Sequence, residues 1–176
     1  MTRCPFIDGP TRIWRGIEAQ DPPWAASDHP DLLAMAESML AARAKRFPAL
    51  VRAGKMAQAD ADAELATFAA IVADWRWIVK GEGERAPLWT LSARQAALDA
   101  SLDTIAEIAD ENGGRFSRDL ALQTQRVIAL RWHLEPQRQT HAAAAATHRL
   151  AAAVAALSTT TTIPADEHPA ALRSAA

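Results

Sequence analysis

Apolar residues recur every three or four positions over most of this chain, and that period predicts helices. The clearest case runs from about Ala57 to Val79. Leu65, Phe68, Val72, Trp75 and Val79 follow one another at spacings of 3, 4, 3 and 4 on one face. Ala63, Ala66, Ala70, Ala73 and Trp77 repeat that rhythm on nearly the opposite face, and Asp60, Glu64, Thr67 and Asp74 hold one side between them. A helix apolar on two flanks belongs in the middle of a bundle, with a neighbour against each.

Start and stop signals delimit the other helices. Asp28-His29-Pro30-Asp31 reads as a helix start. Asp28 can accept from free backbone N–H groups, Asp31 stands three residues on, and Pro30 suits the first turn. That helix is predicted to reach about Arg46, burying Leu32, Met35 or Ala36, Met39 and Leu40. Pro48 lacks a donor and disfavours helical geometry at Phe47. A break is therefore expected there, followed by a short segment over 49–53 that Gly54 closes in left-handed geometry. Ser92 with Gln95 reads as a capping box. It opens a helix striped by Leu91, Leu98, Leu102, Ile105 and Ala109 and stopped by Asn112-Gly113-Gly114. Ser117 is placed to cap the next helix, to about Leu134. Its main face is Leu120, Val127, Leu130 and Leu134; Ala121, Ile128 and Trp132 form a second. After Pro136, a last, alanine-rich helix is expected to reach about Leu157 and to turn Ala143, Ala146, Leu150, Val154 and Leu157 inward.

The two ends read differently. Pro5, Pro10, Pro22 and Pro23 forbid continuous helix over residues 1–27, yet the segment holds Phe6, Ile13, Trp14, Ile17 and Trp24. A purely disordered segment rarely carries two Trp, so this arm is expected to wrap the helices and cover their apolar seams. Cys4 falls in its flexible-looking start. Residues 158–176, with a threonine run and then Pro164 and Pro169, read as a disordered tail. The fold class is all-α: an irregular bundle of about five helices over 28–157, with an extended N-terminal arm and a disordered C-terminal tail. The charged loop Gly81-Glu82-Gly83-Glu84 makes 81–90 the best candidate for a subdomain boundary.

Composition narrows the function. At 176 residues the chain can bury a sizeable core without a disulfide or metal staple. Residues 1–86 carry 11 Lys+Arg against 12 Asp+Glu, and residues 87–157 carry 7 against 7, so no region has the footprint that nucleic-acid binding usually leaves. One cysteine rules out an internal disulfide and a multi-cysteine zinc site. No apolar leader follows Met1 and no stretch is apolar enough to span a membrane, which makes the cytoplasm the default location. Gly-x-Ser-x-Gly, Cys-x-x-Cys, His-Glu-x-x-His and phosphate-binding glycine loops are missing, so the chain reads as non-enzymatic, with no cofactor and no metal.

Two polar rows look like chemistry and read better as solvent-facing surface. Asp99, Asp103, Glu107 and Asp110 share a helix face, but no Glu-x-x-His accompanies them as a di-metal bundle site requires. His141 and His148 stand about 10.5 Å apart along a helix, too far to grip one ion. Residues 92–134 also make a poor helix-turn-helix. The link Glu111–Ser117 exceeds the usual turn and leaves Arg118, Gln125 and Arg126 to read bases.

Two functional classes stay open. The first is a protein-binding or self-associating helical module whose partner surface includes Trp14, Trp24, Trp77 and Trp132. The second is a nucleic-acid-associated accessory factor. It would use Arg43, Arg46, Arg52 and Lys55 around the Pro48 position, with Trp77 and Lys80 as stacking ring and cation.

Arg46-Phe47-Pro48-x-Leu50-Val51-x-x-Gly54-Lys55-Met56, then Ala63, then Ile71-x-x-Asp74-Trp75, resembles a pattern in uncharacterised small helical proteins of bacterial and phage genomes. It covers about 35 of the 176 residues. Where that pattern tends to have Ser or Thr as an N-cap, this chain has Ala57. The resemblance implies a mobile-element origin and brings no activity, ligand or residue role with it.

Overall fold

Capping chemistry sets most of the helix ends. The computed structural model describes residues 2–5 and 7–160. Phe6 and the part of the expected tail from residue 161 onward lie outside the described residues. The helices are α1 (His29–Arg52), α2 (Gln58–Lys80), α3 (Leu91–Glu111), α4 (Arg118–His133) and α5 (Thr140–Thr160). Residues 158–160, expected in the tail, thus continue α5. Asp28 accepts from the Asp31 N–H and Ser117 from the Leu120 N–H, each satisfying an amide that the helix leaves without a partner. Gly54 closes α1 at φ +65°. Its N–H reaches the Val51 carbonyl while Lys55 N–H reaches Leu50, the paired bonds of a Schellman ending. Gly113 and Gly114 repeat that pattern on Asp110 and Ala109 at the end of α3.

Two expected boundaries are corrected. Pro48 does not cut α1, which runs through it. Proline deprives the Ala44 carbonyl of its donor, but Ala44 and Pro48 both face water, which can satisfy it, while neighbouring Phe47 is buried. Packing of that ring outweighs one solvated gap in the ladder. Ser92 is not an N-cap either. A 3-10 turn, Leu88–Thr90, leads directly into α3 at Leu91. Gln95 instead donates to the Leu134 carbonyl, 2.9 Å away, and so tethers α3 to the end of α4.

α1 packs on α2 and α4, and α3 packs on the same two helices. Cross-links show that neighbours run in opposite directions: Arg76 to Glu37 and Arg43 to Glu64 between α1 and α2, Arg131 to Asp99 between α3 and α4. The result is a closed up-and-down ring of four helices. Leu32, Phe68, Trp75, Leu98, Leu102, Ile128 and Leu130 fill its centre. One core takes side chains from both sides of residues 81–90, and Ala86 in that loop donates its N–H to Asp74.

α4 is the most thoroughly enclosed helix, with Thr124, Gln125 and the run Val127 to Leu130 all buried. It packs on both α1 and α3, and the Ala121 and Trp132 side of its second expected face meets Cys4 and Asp21 of the arm. α2 is one uninterrupted helix as read from the sequence, but its second flank is only partly covered. Ala63 and Ala66 are exposed, whereas Ala70, Ala73 and Trp77 are half-buried. The covering helix is α5, which reaches only the C-terminal half.

The arm holds a small sheet that the sequence reading did not foresee. β1 (Thr2–Arg3), β2 (Thr11–Trp14) and β3 (Ile17–Gln20) lie in the order β1-β3-β2. β2 and β3 form an antiparallel hairpin with Trp14 opposite Ile17, and β1 joins β3 in parallel with Thr2 opposite Ile17. The turn places Arg15 at φ +48° and Gly16 at φ +82°, the mirror-image geometry that suits strand twist. Its usual Asn-Gly signature is absent. Arg15 is held by a forked pair of hydrogen bonds to Asp103, 2.8 and 2.7 Å. Ile17 and Ala19 point into the core. Thr2 donates its hydroxyl to Asp110, 2.8 Å away. Three of the four carboxylates expected on a solvated face of α3 therefore fasten other elements: Asp103 and Asp110 hold the sheet and Asp99 holds α4, while Glu107 is exposed.

Cys4 is not in a loose segment. It is buried on α4, with Gln125 Nε2 donating to Sγ at 3.3 Å. Burial pushes its pKa up to about 11, against a smaller opposing pull from Gln125. At pH 8, native Cys4 should consume a thiol-reactive aromatic disulfide more than ~100-fold more slowly than the denaturant-unfolded chain, because the thiolate is the attacking form. Fast native reaction, followed by absorbance, would show the N-terminal arm leaving the bundle.

Candidate functional site: the seam between α2 and α5

α5 lies on α2 with the face opposite to the one expected. Leu150 is 67% exposed and Val154 56%, and Ala143 and Ala146 are exposed as well. His141, Ala144 and His148 face inward instead, so the two histidines are not a wet surface. Trp77 draws them there. The His141 ring lies 5.9 Å from it, tilted, and the His148 ring lies edge-on at 5.4 Å. His148 Nε2 sits 2.8 Å from the Trp77 carbonyl. A carbonyl only accepts, so that nitrogen carries the proton. An alanine helix docked by two imidazoles on an indole replaces the leucine seam that periodicity predicts.

Beside this seam lies a buried ion pair. Asp74 and Arg94 are each 2% exposed. Arg94 Nη1 donates to Asp74 Oδ2, Ala86 N–H donates to Oδ1 at 2.7 Å, and His141 Nε2 stands 3.4 Å from Oδ2. Burial alone would raise the Asp74 pKa. His141, Arg94 and the Ala86 N–H outweigh it and hold the carboxyl below its ordinary value. The group is thus ionised, closed off from solvent, and braces four segments: α2, the 81–90 loop, α3 and α5. Helical spacing puts Asp74 with Asp60, Glu64 and Thr67 on the polar side between the two apolar faces of α2. A signal was present nonetheless. Arg94 falls between Leu91 and Leu98 on the apolar stripe of α3, and a cation there calls for a buried acid.

His133 is a second buried polar junction. Its Nε2 lies 2.8 Å from the Ala26 carbonyl and therefore donates, so Nδ1 accepts from the Thr140 hydroxyl at 2.7 Å. The rings of His29, Trp75 and Trp132 stand edge-on to it at 5.5, 5.1 and 4.9 Å. Burial is the main cause that lowers its pKa to about 4.

The four tryptophans proposed as one surface are dispersed. Trp14 is 4% exposed and belongs to the core, with the Arg12 guanidinium 4.1 Å from its ring. Trp132 is half-buried under Arg138 and donates its Nε1–H to Asp21 at 3.0 Å. Trp77 forms the α5 seam, and Trp24 is 55% exposed. The most open indole is Trp89, 84% exposed beside Leu88 at 77%. Sequence reasoning passed over it, although two large apolar residues after a charged loop and outside any stripe were the available cue.

The basic residues separate as well. Arg43 is committed to Glu64 at 2.7 Å and Ser101 at 3.0 Å, over the Phe68 ring at 3.6 Å. Arg46, Arg52 and Lys55 are exposed near the end of α1. Lys80 lies at the far end of α2, about 33 Å from its start at 1.5 Å per residue, so it and Trp77 do not join that group. Among the described residues no three His, Cys, Asp or Glu are grouped to hold a metal ion, and no helix is long and apolar enough to cross a membrane.

Two predictions follow from these junctions. Asp74→Ala strands the Arg94 charge in the core and should cost about 3–5 kcal/mol in denaturant unfolding; an Asp74→Leu/Arg94→Met pair should recover most of it. For His133, the folded pKa of about 4 lies below the ordinary 6.5. The unfolded chain therefore takes the proton first, and stability is lost as pH falls from 6.5 toward 4. Between pH 7 and pH 5 the loss from this group is roughly 2 kcal/mol. His133→Gln should flatten the measured pH dependence by that amount.

Compared with known protein families, with curated proteins and with solved structures, the chain matches none.

Proposed function

We propose that the protein is a non-enzymatic helical module that associates with a second copy of itself through the outward face of α5. The observation that supports this reading is the exposure of Leu150 and Val154 on a helix that overruns its support. His148 sits at the level of the Trp77 carbonyl, near the end of α2. From there α5 continues to Thr160, about 18 Å further at 1.5 Å per residue, and residues 149–158 are all exposed. Helices of this kind are marginal in water unless their apolar side is packed.

The chemistry of that face favours a like partner. Between Ala142 and Ser158 the only formal charge is Arg149. Ala143, Thr147, Leu150 and Val154 recur at spacings of 4, 3 and 4, the seam of a two-helix coil. Alanines beside it allow close backbone approach, and nothing on it repels an identical surface across a two-fold axis. The mobile-element origin implied by the resemblance of residues 43–77 belongs to the same proposal. The nucleic-acid alternative has weaker support, since Arg43 is engaged by Glu64 and Lys80 is remote from the other cations.

Light scattering across a dilution series tests the proposal. The wild-type chain should show a dimer mass that falls on dilution. Leu150→Glu/Val154→Glu should be monomeric throughout, with the thermal midpoint of the bundle little changed because both sites are exposed. A wild-type chain that stays monomeric at every concentration, or a variant that pairs as well as wild type, removes it.

A further inference from the structure

The ring of four helices is incomplete at one end, and the gap has a defined chemistry. α1 spans 24 residues and α4 only 16; α4 ends beside Ala26, ahead of the start of α1, so the C-terminal part of α1 runs on past the start of α4. Where α4 is missing, a groove of about 510 Å³ opens between α1, the start of α2, α3 and the first turns of α4. That volume falls within the range of roughly 300–1,000 Å³ common for small-molecule sites. Its floor is apolar: Met39, Phe47, Leu50, Ile105 and Leu120 contribute, with Met35 and Met56 as adaptable edges.

The rim carries a net positive charge. Arg43, Arg46 and Lys55 line the groove, and Glu64 is the sole acid among the described lining residues. Glu64 accepts from Arg43 Nε at 2.7 Å, so that pair is neutral. Arg46 and Lys55 are exposed, and neither has an ion-pair partner among the described residues. Two unopposed cations therefore border an apolar trough.

We propose that this groove binds a small amphiphile with one anionic head: an aliphatic or aromatic carboxylate whose apolar body lies along Phe47, Leu50 and Ile105 and whose carboxylate meets Arg46 and Lys55. The apolar floor supplies affinity by removing surface from water. The cations set orientation and discriminate against amphiphiles of the opposite charge. The site is independent of α5 and of the proposed self-association.

The test uses the full chain and three ten-carbon probes: decanoate, decanol and decyltrimethylammonium, by titration calorimetry. Decanoate should bind one to one and at least tenfold more tightly than the cationic probe. Arg46→Glu/Lys55→Glu should weaken decanoate by at least tenfold and strengthen decyltrimethylammonium. Ile108→Trp, which fills the groove from its edge, should abolish binding of all three while the helical circular dichroism and thermal midpoint stay near wild type. The proposal is overturned if decanoate does not bind, if the charge reversals leave its affinity unchanged, or if Ile108→Trp alters the mass in solution, which would make the groove an interface between copies.

Discussion

The Asp74 carboxylate is the point on which the arrangement of the helices depends. It accepts from two directions, the Arg94 guanidinium and the Ala86 amide, and the His141 imidazole stands 3.4 Å away on a third side. A buried pair of this kind adds little net stability, because desolvating both ions offsets their attraction. What it does supply is register. Arg94 must sit opposite Asp74, which fixes how α3 slides along α2, and Ala86 must turn its N–H inward, which sets the path of the 81–90 loop. A charged, glycine-bearing loop that looked like a subdomain boundary is thereby drawn against a continuous core.

A second set of charges does the same for the arm. The type of turn between β2 and β3 is set by two left-handed residues, one of them Arg15. An arginine in that geometry is uncommon, and its side chain reaches Asp103 on α3. Thr2 reaches Asp110 on the same helix, while Ile17, Ala19 and Cys4 supply the buried contact. The sheet is too small to stand alone. It exists because α3 and α4 offer it an apolar bed with carboxylates along the edge.

Periodicity made the helices legible because each buries one broad stripe. Leu98, Leu102, Ile105 and Ala109 are inward as their spacing demands, and Asp28, Ser117 and Gly54 cap as their chemistry allows. Three kinds of information were hidden. Pro48 reads as a break only if one ignores that its gap faces water. The strands of the arm are four residues or fewer, too short for alternation to stand out, and their turn lacks the expected dipeptide. Periodicity points α5 the wrong way because alanine gives almost no amphipathic signal, which leaves the large residues Leu150 and Val154 to mark an inner face that is in fact exposed. At the candidate sites, the cations near Pro48 were visible as a cluster, but the apolar trough beneath them arises from the unequal lengths of α1 and α4, a relation between elements that no single stretch of sequence contains.

The attachment of α5 has its own thermodynamic consequence. Among the described residues its holds on the bundle include His141, Ala144 and His148 against Trp77 and the end of α2, His141 beside Asp74, and Thr140 at His133. The packing of α1, α2, α3 and α4 on one another does not run through α5, so α5 is expected to open as a cooperative unit of its own. Its amides then exchange with solvent deuterium by a route that bypasses global unfolding, and any partner that lengthens its residence on α2 would be felt first in that local opening equilibrium.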